Sequence, residues 1–234
     1  MKTRIAKALA ASGIGSRRHC ESLIFNGKVI VNNCVCHNPG ISVDLKKDII
    51  FVDGKKLEPQ QEEKVVFLLH KPKGYLCSNL RIRKTDKLVT DLFTEPLLRL
   101  FTVGRLDKET TGLLLVTNDG VFANRVIHPS FGVEKEYLAK VNEEIEDHHL
   151  KVISKGIEID EKRVVPLKVT KVRRGTLKIV VGDGKKREVR LLLQEAGLSV
   201  YFLCRIRIGG LVLGQLPEGS YRVLTEKEKQ LVLG

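Results

Sequence analysis

Asp107 is a carboxylate placed where it could take part in chemistry. It follows Arg105 at the end of the apolar run 100–103, and a second apolar run, 113–117, comes shortly afterwards. Apolar runs of strand length separated by polar and glycine residues predict a loop between two strands. Working residues commonly lie on such loops, where a carboxylate can serve as a nucleophile or as a general base. Aspartate is also common in ordinary turns, which is the alternative interpretation.

The elements that must position this loop form a strand-rich pattern beyond residue 64. Strands are predicted at residues 65–69, 113–117, 137–141, 177–181 and 201–208, and helices at 121–127, 145–154 and 188–196. We interpret residues 110–112 and 118–120 as turns. Strands interleaved irregularly with few helices indicate an α+β domain built on antiparallel sheet, and not a regular βαβ array.

The first 58 residues predict a smaller unit of helices and short strands. Ile5, Ala8 and Leu9 recur at helical spacing, and Ser16 can cap a second helix. Short strands follow at residues 29–31 and 49–52. Residues 57–64 are polar after the first and include a proline, so we place a linker at 59–63, between domains at 1–58 and 64–234.

The charge balance points to a polyanionic partner. Lys and Arg number 41 against 28 Asp and Glu, for a net charge of +13. Nucleic acid and anionic membrane surfaces both attract such a chain. No apolar run approaches the roughly 18 residues of a membrane span, and the amino terminus does not resemble a signal peptide. Nucleic acid is therefore the expected partner.

The cysteines predict a reducing compartment and no metal site. They number five, an odd set without a Cys-x-x-Cys pair, which fits the cytoplasm better than an oxidising compartment. Cys34 and Cys36 precede His37, but one residue between cysteines differs from the roughly two to four of zinc sites. A phosphate-binding loop ending in Lys-Ser/Thr and a His-Glu-x-x-His motif are both missing from the sequence.

Residues 104–120, from Gly-Arg-Leu-Asp to Thr-Asn-Asp-Gly, resemble over their whole length the active-site motif of the pseudouridine synthases, in the branch typified by the ribosomal RNA enzymes RsuA and RluB. The resemblance implies that Asp107 is the catalytic residue. It also implies a mixed, mostly antiparallel sheet flanked by helices. Isomerising uridine to pseudouridine adds or removes no atoms and no electrons, so no cofactor and no metal are expected.

The same resemblance implies roles for other residues. Arg105 is expected to fill the space that a flipped-out nucleotide leaves in RNA. Tyr137 is expected to stack on the target uracil, and Leu192 to pack beneath the pocket. Arg190 is expected beside Asp107, where its charge would favour the ionised carboxylate. Taken singly, Tyr137 could be an ordinary core aromatic and Arg190 a surface helix charge.

Residues 10–18, 23–24, 27–32 and 52–55 resemble the RNA-binding domain named for ribosomal protein S-four. The first twenty residues contain five Lys and Arg and no acid, a pattern typical of surfaces that contact phosphates. The predicted RNA contacts are Arg4, Lys7, Arg17, Arg18 and Lys28. The alternative is a helix face whose charges are merely solvated.

The sequence therefore predicts a ribosomal RNA pseudouridine synthase. Its expected partner is ribosomal RNA or an assembling ribosomal subunit, and the protein is expected to be a cytoplasmic monomer that does not bind membranes. The segments 118–120 and 187–190 favour large-subunit (23S) RNA as the target, whereas 71–75 favours small-subunit (16S) RNA. The remaining alternatives are a non-catalytic ribosome-assembly factor, which would share the charge and the first domain, and a transfer RNA uridine modifier.

Overall fold

Two units make up the chain in the computed structural model, residues 1–63 and residues 64–234. The structure describes residues 2–58, 63–94, 99–182 and 184–234. The linker predicted at residues 59–63 lies outside the described residues except for Glu63, so its position stays a prediction.

The first unit packs helices against small antiparallel sheets. The helices are α1 (Ile5–Ala11) and α2 (Arg17–Phe25), and the strands are β1 (Thr3–Arg4), β2 (Val29–Val31), β3 (Cys34–Cys36), β4 (Ser42–Val43), β5 (Ile50–Val52) and β6 (Lys55–Lys56). Strands β3, β2, β5 and β6 form one sheet in that order, and β1 pairs with β4. The core combines apolar side chains from the helices and the sheet, among them Ile5, Leu9, Cys20, Ile24 and Val29.

Local sequence explains where these helices begin and end. The Ser16 hydroxyl accepts a hydrogen bond from the His19 amide at 3.0 Å and caps α2, as predicted. Gly13 follows α1 with a φ of 82°, a left-handed conformation that costs glycine little. The two predicted helices of this unit are therefore confirmed.

The second unit is built on one large sheet. The strands of the unit are β7 (Val66–Lys71), β8 (Tyr75–Leu76), β9 (Lys87–Leu88), β10 (Phe101–Val103), β11 (Thr111–Thr117), β12 (Lys135–Val141), β13 (Ile157–Ile159), β14 (Lys162–Val164), β15 (Lys168–Arg173), β16 (Thr176–Val181), β17 (Val200–Ile208), β18 (Leu211–Val212) and β19 (Tyr221–Val223). The pairs β8–β9 and β13–β14 form two small sheets of their own. Its α-helices are α3 (Gly120–Ile127), α4 (Asp147–Lys155), α5 (Glu188–Glu195) and α6 (Glu226–Leu233). Within the described ranges, no helix has the length and apolar character that crossing a membrane requires.

The large sheet has the strand order β15-β16-β12-β17-β11-β7-β19, with β10 also paired to β11 and β18 to β17. Its strands pair in antiparallel fashion, except that β11 and β17 run parallel where Thr111 and Gly112 face Cys204 and Arg205. The predicted α+β fold with a mostly antiparallel sheet is confirmed.

Strand β11 is buried over its whole length. Leu113 and Leu115 pack on one face with side chains of α3 and α6, whereas Leu114 and Val116 pack on the other face with side chains of α4 and α5. A strand covered on both faces needs no alternation of polar and apolar residues. This explains the continuous apolar run in the sequence, and it makes β11 a rigid support for the loop that precedes it.

Two predictions close to that loop are wrong. Thr111 and Gly112 do not form a turn, because they begin β11 and pair with β17. Asp119 does not form a turn either: its carboxylate accepts hydrogen bonds from the amides of Val121 and Phe122 at 2.8 and 3.2 Å and caps α3.

Candidate active site

Asp107 lies on a loop, residues 104–110, that joins β10 to β11. We call it the catalytic loop. The Thr110 amide donates a hydrogen bond to the Asp107 carbonyl at 3.0 Å, which closes a turn. The Asp107 side chain is partly exposed and lines a cavity of about 480 Å³. The carboxylate therefore stands at a concave surface, supported from behind by the buried strand β11.

Lys71 fixes the path of the catalytic loop. This last residue of β7 is fully buried, and its Nζ donates hydrogen bonds to the carbonyls of Pro72 and Thr110 at 2.9 Å each and of Lys108 at 3.4 Å. Burial lowers the pKa of the Lys71 ammonium. Its three donors all meet carbonyl oxygens in place of water. Two of those oxygens belong to the catalytic loop, which is thereby tied to the sheet.

Arg190, on α5, approaches the same loop from the other side. Its Nη2 donates hydrogen bonds to the Glu109 carbonyl at 3.2 Å and to the Thr110 hydroxyl at 3.3 Å. Burial and the neighbouring Arg187 charge lower the pKa of the Arg190 guanidinium, and the carboxylates of Asp107 and Glu109 oppose that shift. Arg190 thus interacts with Asp107 electrostatically, whereas it makes its hydrogen bonds to Glu109 and Thr110.

Tyr137, on β12, presents its ring to the cavity from beneath a buried arginine. Arg205 lies opposite it on β17 and is 4 % exposed. Arg205 Nη1 donates to the Tyr137 hydroxyl oxygen at 3.4 Å, and Arg205 Nε donates to the Leu113 carbonyl at 2.7 Å. A guanidinium can only donate hydrogen bonds. The Tyr137 oxygen therefore accepts from Arg205, and its own hydrogen is left to be donated elsewhere.

The cavity brings together four of the five predicted active-site residues: Asp107, Arg105, Tyr137 and Arg190 all line it. Leu192 does not line the cavity and is fully buried, in a core cluster that includes the lining residue Val189. The wall also carries four further basic side chains, Lys108, Lys185, Lys186 and Arg187. Such a wall attracts an anionic ligand. The residues predicted from the sequence for this site included neither Lys71 nor Arg205.

The cations predicted to bind RNA lie in the first unit and are all exposed: Arg4, Lys7, Arg17, Arg18 and Lys28. Two of them have acidic partners, because Arg17 pairs with Glu21 at 3.2 Å and Lys28 with Asp53 at 3.3 Å. Exposed pairs of this kind contribute little to stability, so these cations can exchange their partners for phosphates. In the described parts of both units, His, Cys, Asp and Glu side chains form no group of three or more that could hold a metal ion.

Known proteins resemble this chain in both sequence and fold. The sequence model of the RNA pseudouridylate synthase family matches residues 65–195, and that of the S4 domain matches residues 3–50. A crystal structure of a pseudouridylate synthase superimposes with a TM-score of 0.72 at 27 % identity, covering 98 % of this chain and 99 % of the other.

Relatives share both parts of the chain. The ribosomal large subunit pseudouridine synthase B of Bacillus subtilis is 38 % identical, with 96 % of this chain and 93 % of that protein covered. A chloroplastic protein of Arabidopsis thaliana that carries the name of a ribosomal large subunit pseudouridine synthase is 44 % identical over 96 % of this chain. This chain spans only 59 % of the length of the Arabidopsis protein.

Proposed function

Because the chain belongs to the RNA pseudouridylate synthase family, we propose that it isomerises a specific uridine to pseudouridine in large-subunit ribosomal RNA. The Bacillus and Arabidopsis relatives carry names that assign them to the large ribosomal subunit, which supports the choice of target. The observation that carries the activity is the placement of Asp107, Tyr137 and Arg190 on one cavity. A non-catalytic assembly factor would have no use for that arrangement.

The reaction needs a carboxylate at the ribose. It breaks the bond from the ribose anomeric carbon to the uracil ring nitrogen and joins the same ribose carbon to a ring carbon of uracil. The nitrogen gains a proton and the ring carbon loses one, so atoms and electrons balance within the nucleotide. Asp107 acts at this step, either as a nucleophile or as a base that assists the departure of uracil.

The other cavity residues hold the nucleotide in place for this step. A uridine inside an RNA stack must first be flipped out. Arg105, which is exposed and lines the cavity, would fill the vacated space with its planar guanidinium. The ring of Tyr137 offers a stacking surface for the uracil. We expect Leu192 to pack beneath the cavity, since its core cluster includes the lining residue Val189.

Arg205 is expected to act through Tyr137. Arg205→Gln should slow single-turnover pseudouridine formation about tenfold, because a hydrogen bond from a charged donor is removed. In a Tyr137→Phe background the same change should have little further effect. Rates of the two single variants and the double variant, measured by tritium release from RNA labelled on the uracil ring, test this coupling.

Arg207→Gln is the matched control for Arg205→Gln. Arg207 lies on the same strand, but its guanidinium pairs with Glu134 and Glu136 at 3.2 Å each and does not line the cavity. Its replacement should leave the rate unchanged. Equal losses of rate from Arg205→Gln with and without the Tyr137 hydroxyl would show that Arg205 only stabilises the fold.

The basic surface of the first unit is expected to supply RNA affinity that depends little on sequence. Neutralising Arg4, Lys7, Arg17 and Arg18 to Gln should weaken binding and reduce the slope of log affinity against log salt by roughly one unit for each phosphate that these cations neutralise in the parent protein. Filter binding across a salt series measures the slope.

A control with the same change in net charge separates position from total charge. Lys46, Lys47, Lys55 and Lys56 are exposed on other parts of the same unit. Replacing these four by Gln should alter the salt slope much less. Equal slopes for the two quadruple variants would mean that the unit has no preferred RNA-binding face.

We place the protein in the cytoplasm as a monomer. Cys34 is an exposed free thiol, a state that a reducing compartment preserves. Sedimentation equilibrium of the purified protein should give the mass of one chain, 26.3 kDa. A stable dimer would contradict the monomer.

The proposed function is tested with unmodified transcripts of large-subunit RNA, small-subunit RNA and transfer RNA, each labelled with tritium on carbon five of uracil. Tritium should be released from the large-subunit transcript. Release only from small-subunit or transfer RNA would overturn the target. Mapping pseudouridines in ribosomal RNA from cells that lack the protein would then identify the nucleotide.

A further inference from the structure

A second loop stands beside the catalytic loop and carries aliphatic side chains to the mouth of the cavity. It consists of residues 77–86, and we call it the aliphatic loop. Its two ends are joined by the parallel pair β8–β9. At its start, the Cys77 sulfur accepts a hydrogen bond from the Leu106 amide at 3.3 Å. The aliphatic loop is therefore tied directly to the residue that precedes Asp107.

Polar contacts within the protein give the aliphatic loop a defined shape. The Ser78 hydroxyl bonds both the amide and the carbonyl of Leu80, at 3.1 and 2.9 Å. Arg81 Nη2 donates to both carboxylate oxygens of Asp91 at 2.7 Å. Polar contacts therefore hold the loop in shape. In most protein segments, by contrast, the apolar side chains are buried and hold the structure together.

This arrangement leaves the side chains of Leu80 and Ile82 exposed to solvent. Leu80 is 77 % exposed and Ile82 is 90 % exposed, yet both line the cavity that contains Asp107 and Tyr137. Scattered apolar side chains on a surface need no explanation, but neighbouring ones at the rim of a binding cavity indicate contact with a partner. The partner must offer apolar surface at this position.

The charge of the rim indicates the kind of partner. Arg105, Lys185, Lys186 and Arg187 share the cavity wall with Leu80 and Ile82. An apolar contact surrounded by cations fits a polyanion with flat apolar faces, which describes RNA whose bases have lost a stacking neighbour. Apolar side chains placed against a disrupted base step are a known way of stabilising a distorted nucleic acid.

We propose that Leu80 and Ile82 pack against the bases that flank the target uridine once it has left the stack, and so favour the flipped state. This inference rests on the proposed function, since it needs an RNA substrate whose uridine must be extracted. It assigns a binding role to residues 77–86 that is separate from the chemistry at Asp107. The loop acts on extraction, whereas overall RNA affinity comes from the cations.

The test is the double variant Leu80→Ser with Ile82→Ser in the full chain. Its single-turnover rate of tritium release should fall about tenfold to a hundredfold, the range expected if a few kcal/mol of unstacking are no longer offset. The salt slope of RNA binding should stay unchanged, because no charge is altered. A substrate whose base pairs beside the target are replaced by mismatches should recover much of the rate, since its uridine is already loosely stacked.

Matched variants separate this role from general effects. Val121 and Val212 are 60 % and 59 % exposed and do not line the cavity, so Val121→Ser with Val212→Ser should keep the rate within about twofold of the parent, as surface changes usually do. Leu80→Met with Ile82→Val keeps the apolar surface and should also retain the rate.

An unchanged rate in the Leu80→Ser, Ile82→Ser protein would overturn the proposal, as would an equal loss of rate in the control pair. A rate loss that mismatched substrates do not relieve would assign the residues to folding or to a protein contact, and would overturn it as well. If the parent protein releases tritium only from small-subunit or transfer RNA, the target assignment fails, and the same comparison decides the role of the loop on that RNA. If the parent protein releases tritium from none of the transcripts, both the proposed function and the role of the aliphatic loop are overturned.

Discussion

An Asp107→Asn protein should bind ribosomal RNA almost as tightly as the parent and form no measurable pseudouridine. The amide keeps the size of the side chain and removes the negative charge, so the turn closed by the Asp107 carbonyl and the Thr110 amide can persist. Turnover should fall by several orders of magnitude, since a group that acts only on the transition state is removed. Single-turnover tritium release measures the rate, and filter binding measures the affinity.

Glu109→Gln is the control, because it changes another carboxylate of the same loop. The Glu109 side chain is 53 % exposed and pairs with Lys73 at 3.1 Å, and its carbonyl, which Arg190 contacts, is retained. Its effect on the rate should stay within a few fold, as for most exposed positions. Turnover retained by a folded Asp107→Asn protein would refute the catalytic assignment.

Gly112→Ala should destabilise the second unit by about 2–5 kcal/mol, which combines the cost of a left-handed alanine with that of a backbone clash. Gly112 has a φ of 106°, and a Cβ added there would lie 2.3 Å from the Arg205 carbonyl oxygen and 2.6 Å from the Arg205 nitrogen. Neither backbone atom can move without breaking the parallel pair between β11 and β17. Urea unfolding followed by circular dichroism measures the loss of stability, and activity should fall with it.

Gly197→Ala isolates the contribution of the backbone conformation. Gly197 has a φ of 76° and open space where a Cβ would be placed, so the change should cost only about 1–2 kcal/mol. Comparable losses of stability at both positions would mean that β17 can move away from β11, and that the close approach at Gly112 is not required.

Much of the frame could be predicted because its signals are local. The continuous apolar run at 113–117 predicts a buried strand, and the pattern at 188–196 predicts helix α5, which the structure confirms at Glu188–Glu195. Helix α6 is missing from the prediction although its signal is present, since Thr225 and Glu228 form a capping box. Its sequence is mostly polar, so the apolar pattern of the face that packs through Val232 is too weak to predict a helix.

Lys71 and Arg205 could not be predicted from local pattern. Each is a buried cation in a largely apolar strand, Lys71 at the end of β7 and Arg205 within β17. Burial of such a group is tolerated only where acceptors surround it. Those acceptors are carbonyl oxygens of residues such as Thr110 and Leu113, which are distant in sequence. Every residue has a backbone carbonyl. Which residues accept these hydrogen bonds therefore cannot be inferred from residue type.

The parallel pair of β11 with β17 also sets an order of events during protein synthesis. It joins Gly112 to Arg205, and contacts between such distant positions form late because closing a long chain segment costs entropy. The first unit and the catalytic loop emerge from the ribosome well before β17 does. A nascent chain should therefore acquire RNA affinity before it can modify RNA. Chains arrested after residue 199 are expected to release no tritium from RNA, and chains released with residues 200–234 in place are expected to do so.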